Sequence, residues 1–473
     1  MTDHALFLAA ADEILGSRGL TRDPDLIEPW LTDWRGRFHG QAMAMASPAS
    51  TEELAALVKL CVAHHVPIVP QGGNSGMAGG ATPDETGTAL LLSLRRLNTI
   101  GPVDVEGQKV TCGAGVILQT LHEAAEAAGM RFALTLGGKG SATVGGLIAT
   151  NAGGTQVLRH GSMRALVLGL EVVTPDGQVF SALTPLKKDN RGFDLKQVFI
   201  GSEGTLGIVT AATLKVVPSI ARRVVIWAGV ADVKTARALL LHCEAMVADG
   251  LEGFEILPQT SLEAVIDHIP ATRAPLESGH PWHVLIEVVS DRSGADGLQE
   301  RCEAMLEAAF EKDLLDDAVI AANETQAEAF WQIRDSISAA ERARGPAVQH
   351  DVSVPVEAMP AFIDEAVPRL QQAWPGTEAI AFGHLGDGNV HFHVIAPQGT
   401  DGPTWHSGDG KAISRGVHDL VTQWGGSISA EHGIGQLKRD ELARLGDPVQ
   451  LELMRRIKHA LDPNGLLNPG KLI

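Results

Sequence analysis

Three glycine-rich loops, each entered from an apolar run, constrain the fold of this 473-residue chain more than any other feature. They are Pro70-Gln71-Gly72-Gly73-Asn74-Ser75-Gly76, the stretch from Gly137 to Gly146, and Gly201-Ser202-Glu203-Gly204-Thr205-Leu206-Gly207. With no Cβ in the way, backbone N–H groups in such loops can approach and cradle an anion such as a pyrophosphate. None has the G-x-G-x-x-G spacing of a Rossmann fingerprint, and Lys139 is followed by Gly140 rather than by the Ser or Thr of a P-loop. Taken singly, each also reads as a turn. Three in one half, with Asn151-Ala152-Gly153-Gly154 beside the second, point to a dinucleotide held by a different fold.

The pattern around the loops mixes helix and strand. Ser50-Thr51-Glu52-Glu53 predicts a helix start, with Leu54, Leu57, Val58, Cys61 and Val62 on one apolar face, and Val66-Pro67-Ile68-Val69 then runs as a strand into the first loop. Val110–Val116, Ala165–Val173 and Gly207–Val217 read as further strands, and Pro218 marks a boundary. Beyond it, strands (Val224–Trp227, Phe254–Leu257, His283–Val288) alternate with helical stretches (Lys234–Met246, Gly297–Glu311), which predicts an antiparallel sheet with helices on one face and His384 and His391 at its strand ends. Gly294–Asp316 reads as an acidic, solvated helical face, and the first ~35 residues as a docking helix and arm. At 44% hydrophobic content the chain can bury at least two cores, since single cores stop growing near ~250–300 residues.

A second motif carries chemistry of its own. In Phe382-Gly383-His384-Leu385-Gly386-Asp387-Gly388-Asn389-Val390-His391-Phe392-His393, Asp387-Gly388-Asn389 reads as a tight turn that brings His384 and His391 to one side of a hairpin. Ser429-Ala430-Glu431-His432-Gly433 follows about forty residues later. Two imidazoles and one carboxylate, His384, His391 and Glu431, with open positions, form the ligand set of a catalytic divalent-metal site rather than a closed structural one. The plainer alternative is a glycine-rich hairpin with surface histidines.

Charge and composition narrow the partners. A formal net charge of −19 leaves no basic stripe for nucleic acid, so an anionic ligand must be drawn by local positive groups. No run of ~18 apolar residues exists to span a bilayer, and Met1-Thr2-Asp3-His4 lacks a signal-peptide pattern, which points to a cytoplasmic location. Cys61, Cys112, Cys243 and Cys302 lack metal spacing and read as small core hydrophobes. The chain contains no tyrosine, which removes that residue as general acid, nucleophile or covalent cofactor attachment point.

On these residues the chain resembles the vanillyl-alcohol oxidase and p-cresol methylhydroxylase type of flavoprotein, and within it the FAD-linked D-2-hydroxyacid dehydrogenases, the D-lactate and D-2-hydroxyglutarate enzymes. The loop Pro70–Gly80, the stretch Gly137–Gly154, Arg159-His160-Gly161-Ser162, Lys188-Asp189-Asn190 through Val209, the histidine motifs and the ending Asp462–Lys471 carry the likeness, in order, over roughly residues 40 to 473. It implies an α+β architecture: an N-terminal helical arm (1–37), a two-subdomain FAD-binding domain (38–218), an α+β substrate or cap domain with antiparallel sheet and the metal site (219–455), and a C-terminal segment returning to the FAD domain (456–473). It places FAD on Pro70, Gln71, Gly72, Gly73, Asn74, Ser75, Gly76, Met77, Leu136, Gly137, Gly140, Ser141, Val144, Gly145, Gly146, Ala149, Thr150, Asn151, Gly153, Gly154, Glu203, Gly204, Gly207, Ile208, Val209 and Asn468. Attachment is expected to be noncovalent, because Asn74-Ser75 stands where covalent members carry a nucleophile; His160 is the nearest alternative.

The implied reaction moves hydride from C2 of a D-2-hydroxy acid to flavin N5, with D-2-hydroxyglutarate favoured and D-lactate next. A metal, zinc by ligand type, would chelate the substrate through its hydroxyl and carboxylate. His432 is the expected base, with second-shell support of the metal as its other reading. Arg334 matches the arginine that binds substrate carboxylate, or is a surface Arg–Asp pair with Asp335; Ser338, Gln349, His384, His393 and His432 complete the expected substrate set. The family commonly has lysine where Gln349 stands, and D-2-hydroxyglutarate enzymes often have asparagine where His393 stands. An electron-transfer flavoprotein or a quinone is the implied acceptor, and the resemblance admits a homodimer. A metal-dependent hydrolase and a noncatalytic flavoprotein are the rival classes.

Overall fold

The computed structural model describes residues 3–291 and 297–473; Met1 and Thr2 of the expected arm and Gly294–Asp296 of the expected acidic helix lie outside the described residues. The chain divides into two compact units, Met1–Gly154 with His160–Ser219 and Glu431–Ile473, and Thr155–Arg159 with Ile220–Ala430.

In the first unit the helix Thr51–Ala63 starts where the sequence places it. Ser50 accepts from the Glu53 N–H, and the Glu53 carboxylate accepts from the Ala49 N–H at 2.7 Å, so two otherwise orphaned donors are satisfied. Its buried Leu54, Leu57, Val58 and Cys61 share a core with Leu90 and Leu92 of the strand Leu90–Ser93. That strand lies parallel between Ala44–Ala46 and Ile68–Gln71. The helix Asp3–Leu15 puts Phe7, Ala11 and Leu15 into the same core, and Leu20–Thr21 pairs with Ala44–Ala46, so the N-terminal residues build this layer rather than dock onto it as an arm. A second sheet of four antiparallel strands has the order Lys109–Gly113, Ile208–Lys215, Val167–Val173, Val179–Ala182.

The C-terminal segment joins this unit at Glu431, earlier than the expected 456. Two anchors account for it. The buried Glu203 carboxylate accepts from the N–H groups of Ile434 and Gly435 at 2.7 and 2.8 Å, and the Asn468 N–H donates to the Ile68 carbonyl at 2.8 Å. A carboxylate that satisfies two backbone donors fixes the chain long before the terminal motif does.

The second unit is built on a seven-stranded, wholly antiparallel sheet in the order Asp317–Ile320, Arg222–Val230, Trp282–Ser290, Leu251–Pro258, Glu378–His384, Asn389–Ile395, Ala347–Ser353. Helices cover both faces, not one. Val233–Val247, Leu298–Phe310, Met359–Ala373 and Asp409–Gln423 share a core on one side, and Gln259–His268 and Glu324–Arg344 on the other. The reason lies in the strands: Leu251–Leu257 is buried at every position, the mark of a strand covered on both faces rather than of one that alternates toward water. The described part of the expected acidic helix is amphipathic, with Leu298, Cys302, Met305 and Leu306 buried. All four cysteines are buried and free, and burial pushes the thiols of Cys61, Cys112 and Cys243 up to about 12, which keeps them unreactive.

Candidate functional site

In the first unit the first two glycine loops pack against each other. A Cβ at Gly73 would sit 1.7 Å from the Ser141 carbonyl oxygen, and one at Gly72 would sit 2.2 Å from Thr143 Oγ1. Glycine is therefore demanded by loop-on-loop contact there, whereas at Gly76 and Gly137 a Cβ would meet nothing within 4 Å. Asn74 takes a left-handed backbone (φ +53°), and its side-chain amide donates to the Thr32 carbonyl at 2.8 Å. The helix Val144–Thr150 follows the second loop, capped by Thr143 and ended by Asn151 in the left-handed region.

A cavity of about 330 Å³ opens where these loops meet, lined by Gly73, Gly140, Ser141 and Thr143 and also by Gly115, Val116, Ile117, Trp30 and Arg95. The Arg95 guanidinium lies 3.6 Å from the centre of the Trp30 ring, a cation–π stack inside the cavity. Closely packed glycine loops, a fixed cation and room for a flat ring suit a phosphate-bearing dinucleotide. Among the expected FAD residues, Glu203 serves differently: both carboxylate oxygens are taken by Ile434 and Gly435, and burial raises its pKa against those hydrogen bonds and Lys438. Asn468 bridges the Gly80 and Glu203 carbonyls, Ile208 and Val209 open a buried strand, and His160 lies 3.3 Å from an Arg131 amino group.

The second unit brings the histidines together on one sheet face. The register pairs Phe382 with His391, His384 with Asn389 and Gln349 with His393, and the turn spans Leu385–Gly388, starting two residues and ending one residue earlier than a turn on Asp387 to Asn389 would require. His384 ends its strand, but His391 lies inside Asn389–Ile395. The rings of His384 and His391 are 5.4 Å apart.

Above them runs the helix Glu324–Arg344, started by Asn323, which accepts from the Gln326 N–H, and ended before Gly345 with Arg342 and Arg344 in the last turn. It delivers Arg334 to the sheet. Arg334 Nε donates to Glu255 at 2.8 Å, and its Nη2 donates to Nε2 of both His384 and His391, at 3.2 and 3.3 Å. A guanidinium has no lone pair to offer, so both Nε2 atoms must be acceptors. That sets the tautomer of His384, whose Nδ1–H donates to the other Glu255 oxygen at 2.5 Å.

Glu255 is the residue that sequence reading missed. It is 1% exposed, and although burial opposes its charge, His384 and Arg334 hold its pKa down to about 2. Burial, reinforced by Arg334 and His384, pushes His391 well below the ordinary imidazole range, so it too presents a neutral nitrogen. A lone acid inside the apolar run Phe254-Glu255-Ile256-Leu257 was the available signal. The result is two imidazole lone pairs aimed at one position that a cationic group already occupies, with a carboxylate behind one of them, the second-shell arrangement of a metal-binding histidine. This donor set fits a divalent ion.

His393 is buried and gives Nδ1 to Glu341, a second partner that sequence reading did not find. Gln349 is held by the Ser338 carbonyl at 3.4 Å and by Arg342 at 3.3 Å. Glu431 and His432, both half-buried, belong to the first unit.

Comparison with known proteins gives a consistent picture. A family model described as FAD linked oxidases, C-terminal domain, matches residues 220–472, and one described as FAD binding domain matches residues 42–182. The D-2-hydroxyglutarate dehydrogenase, mitochondrial, of Arabidopsis thaliana is 35% identical over 463 residues, covering 98% of this chain and 80% of its own length. A D-2-hydroxyglutarate dehydrogenase of Xanthomonas citri pv. viticola is 36% identical, covering 96% and 94%. Among solved structures, p-cresol methylhydroxylase aligns with a TM-score of 0.75 at 15% identity, over 99% of this chain and 96% of that one, and so shares its fold. Among the described residues no helix is long and apolar enough to cross a membrane.

Proposed function

We propose, from the premise that this chain belongs to the family of FAD-linked oxidases, that it is a D-2-hydroxyacid dehydrogenase, taking D-2-hydroxyglutarate first and D-lactate next, with noncovalent FAD and a divalent metal. The observation that carries the reading is Arg334 shared between Nε2 of His384 and Nε2 of His391 and backed by Glu255. When bound, FAD supplies a hydride acceptor and the metal supplies a Lewis acid that acidifies the substrate hydroxyl.

The protein's own residues do the rest. The glycine loops and Arg95 would hold the dinucleotide's phosphates, and Asn74-Ser75 offers no side chain for a covalent flavin bond. Arg334 supplies the positive charge that an anionic substrate needs in a chain of net charge −19. His384 and His391, whose Nε2 atoms accept from Arg334, would hold the metal once Arg334 releases them, and a nitrogen-and-carboxylate ligand set suits zinc. Glu431 as third ligand and His432 as the base that takes the hydroxyl proton are proposed on the sequence motif and the family resemblance alone. An electron-transfer flavoprotein or a quinone is the proposed acceptor and a homodimer the proposed assembly. A cytoplasmic location is proposed from the sequence, although the plant relative is named mitochondrial.

Anaerobic mixing with substrate tests the reading. D-2-hydroxyglutarate should bleach the flavin band near 450 nm, dialysis against a chelator should abolish the bleaching while the band itself persists, and Zn²⁺ should restore it. Full bleaching in a verified metal-free preparation would remove the metal from the mechanism; a colourless protein would favour a hydrolase.

A further inference from the structure

We propose that the outward face of the helix Pro448–Leu461 is where a second copy of this chain docks, antiparallel and about a two-fold axis; the proposal rests on the homodimer reading and gives it a surface. The helix belongs to the first unit and carries two apolar stripes. One packs inward: Leu451 is buried, Met454 and Leu461 are half-buried, and Lys458 Nζ donates to the Thr205 and Leu467 carbonyls at 2.7 and 2.8 Å and to Asp462 at 2.6 Å. The other points away from it. Val449, Leu453 and Ile457 stand at i, i+4 and i+8 and are 67%, 52% and 42% exposed. A single apolar residue on a surface is ordinary, but three stacked on one helix face mark a contact surface.

The face is complementary to itself. A two-fold axis at Leu453 sets two such helices antiparallel, with Leu453 against its own counterpart and Val449 of each copy opposite Ile457 of the other. Such an axis keeps the same flank of both helices on one side. That flank carries Glu452 and Arg456, both exposed, which pair within the helix at 2.8 Å. Across the axis Glu452 of each copy comes opposite Arg456 of the other, so the contact brings opposite charges together twice. A parallel pair in register would set Glu452 against Glu452 and Arg456 against Arg456.

A membrane surface suits the stripe less well, because Glu452 stands at its margin in a chain of net charge −19. The same net charge sets the conditions for self-association: at ~0.15 M salt the screening length is ~8 Å, so repulsion between whole chains fades while charges in contact still act. The helix is held ready for its partner. Asp447 caps it by accepting from the Gln450 N–H at 2.8 Å, Pro448 opens it and Lys458 ties it down, so docking orders no new segment. One helix face buries less than the ~800 Å² per partner of a standard interface, and the dimer is accordingly reversible and concentration-dependent.

Sedimentation velocity of the FAD-loaded full chain, run over a range of concentrations at ~0.15 M salt, reads the dimer dissociation constant. The parent should pass from monomer to dimer as concentration rises. Leu453→Lys, which sets two like charges on the axis, should weaken the dimer by about 10-fold while flavin content and melting temperature stay those of the parent. Glu452→Arg and Arg456→Glu should each weaken it about 5-fold, and mixing these two variants should restore it, because each then offers the charge that the other lacks. Recovery between two different chains cannot come from a repaired fold in either. A parent that stays monomeric at every concentration overturns the surface together with the homodimer. A dimer untouched by Leu453→Lys, or no recovery on mixing, overturns the surface and leaves the homodimer standing. Binding of a monomeric parent to vesicles of phosphatidylglycerol and phosphatidylcholine, lost in Leu453→Lys, would assign the stripe to a membrane instead.

Discussion

The two candidate sites, one in each unit, are built on opposite principles. The glycine loops of the first unit make a site out of backbone: Gly72 and Gly73 are there because Thr143 and Ser141 leave no space for a side chain, and the cavity beside them has Arg95 as its stacked cation. The sheet face of the second unit makes a site out of side chains, in which Glu255, Arg334, His384 and His391 each fix the next. The loop contact at Gly72 and Gly73 admits no added atom, and a side-chain site tolerates no missing one. The contrast can be broken by substitution.

Gly73→Ala should have the largest effect. The new methyl would lie 1.7 Å from the Ser141 oxygen, so one loop must move and the protein should purify without its 450 nm band. Stoichiometric flavin in this variant would mean that the loop contact does not shape the cofactor site.

Arg334→Ala comes next. It should keep its flavin, because the change lies in the side-chain site, but KM for the hydroxy acid should rise by about 2–3 kcal/mol, the worth of one charge-assisted pair. Unchanged substrate affinity in steady-state assays would move the clamp elsewhere.

A third experiment separates histidines that serve the fold from those that serve the site. His283 Nδ1 accepts from Trp227 Nε1 at 3.1 Å while Nε2 faces Gln259 at 2.7 Å, and burial, then His280, pushes its pKa down to about 4. The unfolded imidazole takes its proton near ~6.5, so this stabilisation is present above that pH and is lost as pH falls toward about 4, at most about 3 kcal/mol. Thermal melts of the parent should fall between pH 6.5 and 4.5 more steeply than those of His283→Gln. Parallel curves would show that His283 is no part of the acid response.

The smallest effect is expected from Gln349→Lys. Gln349 lies opposite His393 in the register, and a lysine there adds the cation that the family commonly carries. The preference for D-2-hydroxyglutarate over D-lactate should rise a few-fold, about 1 kcal/mol. A fixed ratio in side-by-side kcat/KM measurements would show that this position does not choose the acid.

The sequence by itself determined what depends on local chemistry. The Ser50–Glu53 cap, the strand Ile68–Gln71 into the first glycine loop, the strand Ile208–Lys215 out of the third, the apolar runs and the order of the family motifs are all short-range features, and the helix Thr51–Ala63 and the hairpin carrying His384 and His391 follow from them; the short helix Lys196–Phe199 that leads into the third loop was not legible. Tertiary structure alone decided what depends on register and on burial from two sides. Glu255 lies 79 residues from Arg334 and 129 from His384, separations at which no periodicity signals a contact. Covering both sheet faces required knowing which helices fold back onto it. The return at Glu431 depended on a carboxylate at Glu203, more than two hundred residues away, accepting two backbone donors. Residue type states which interactions a side chain can make, and only the packed chain decides which partner is within reach.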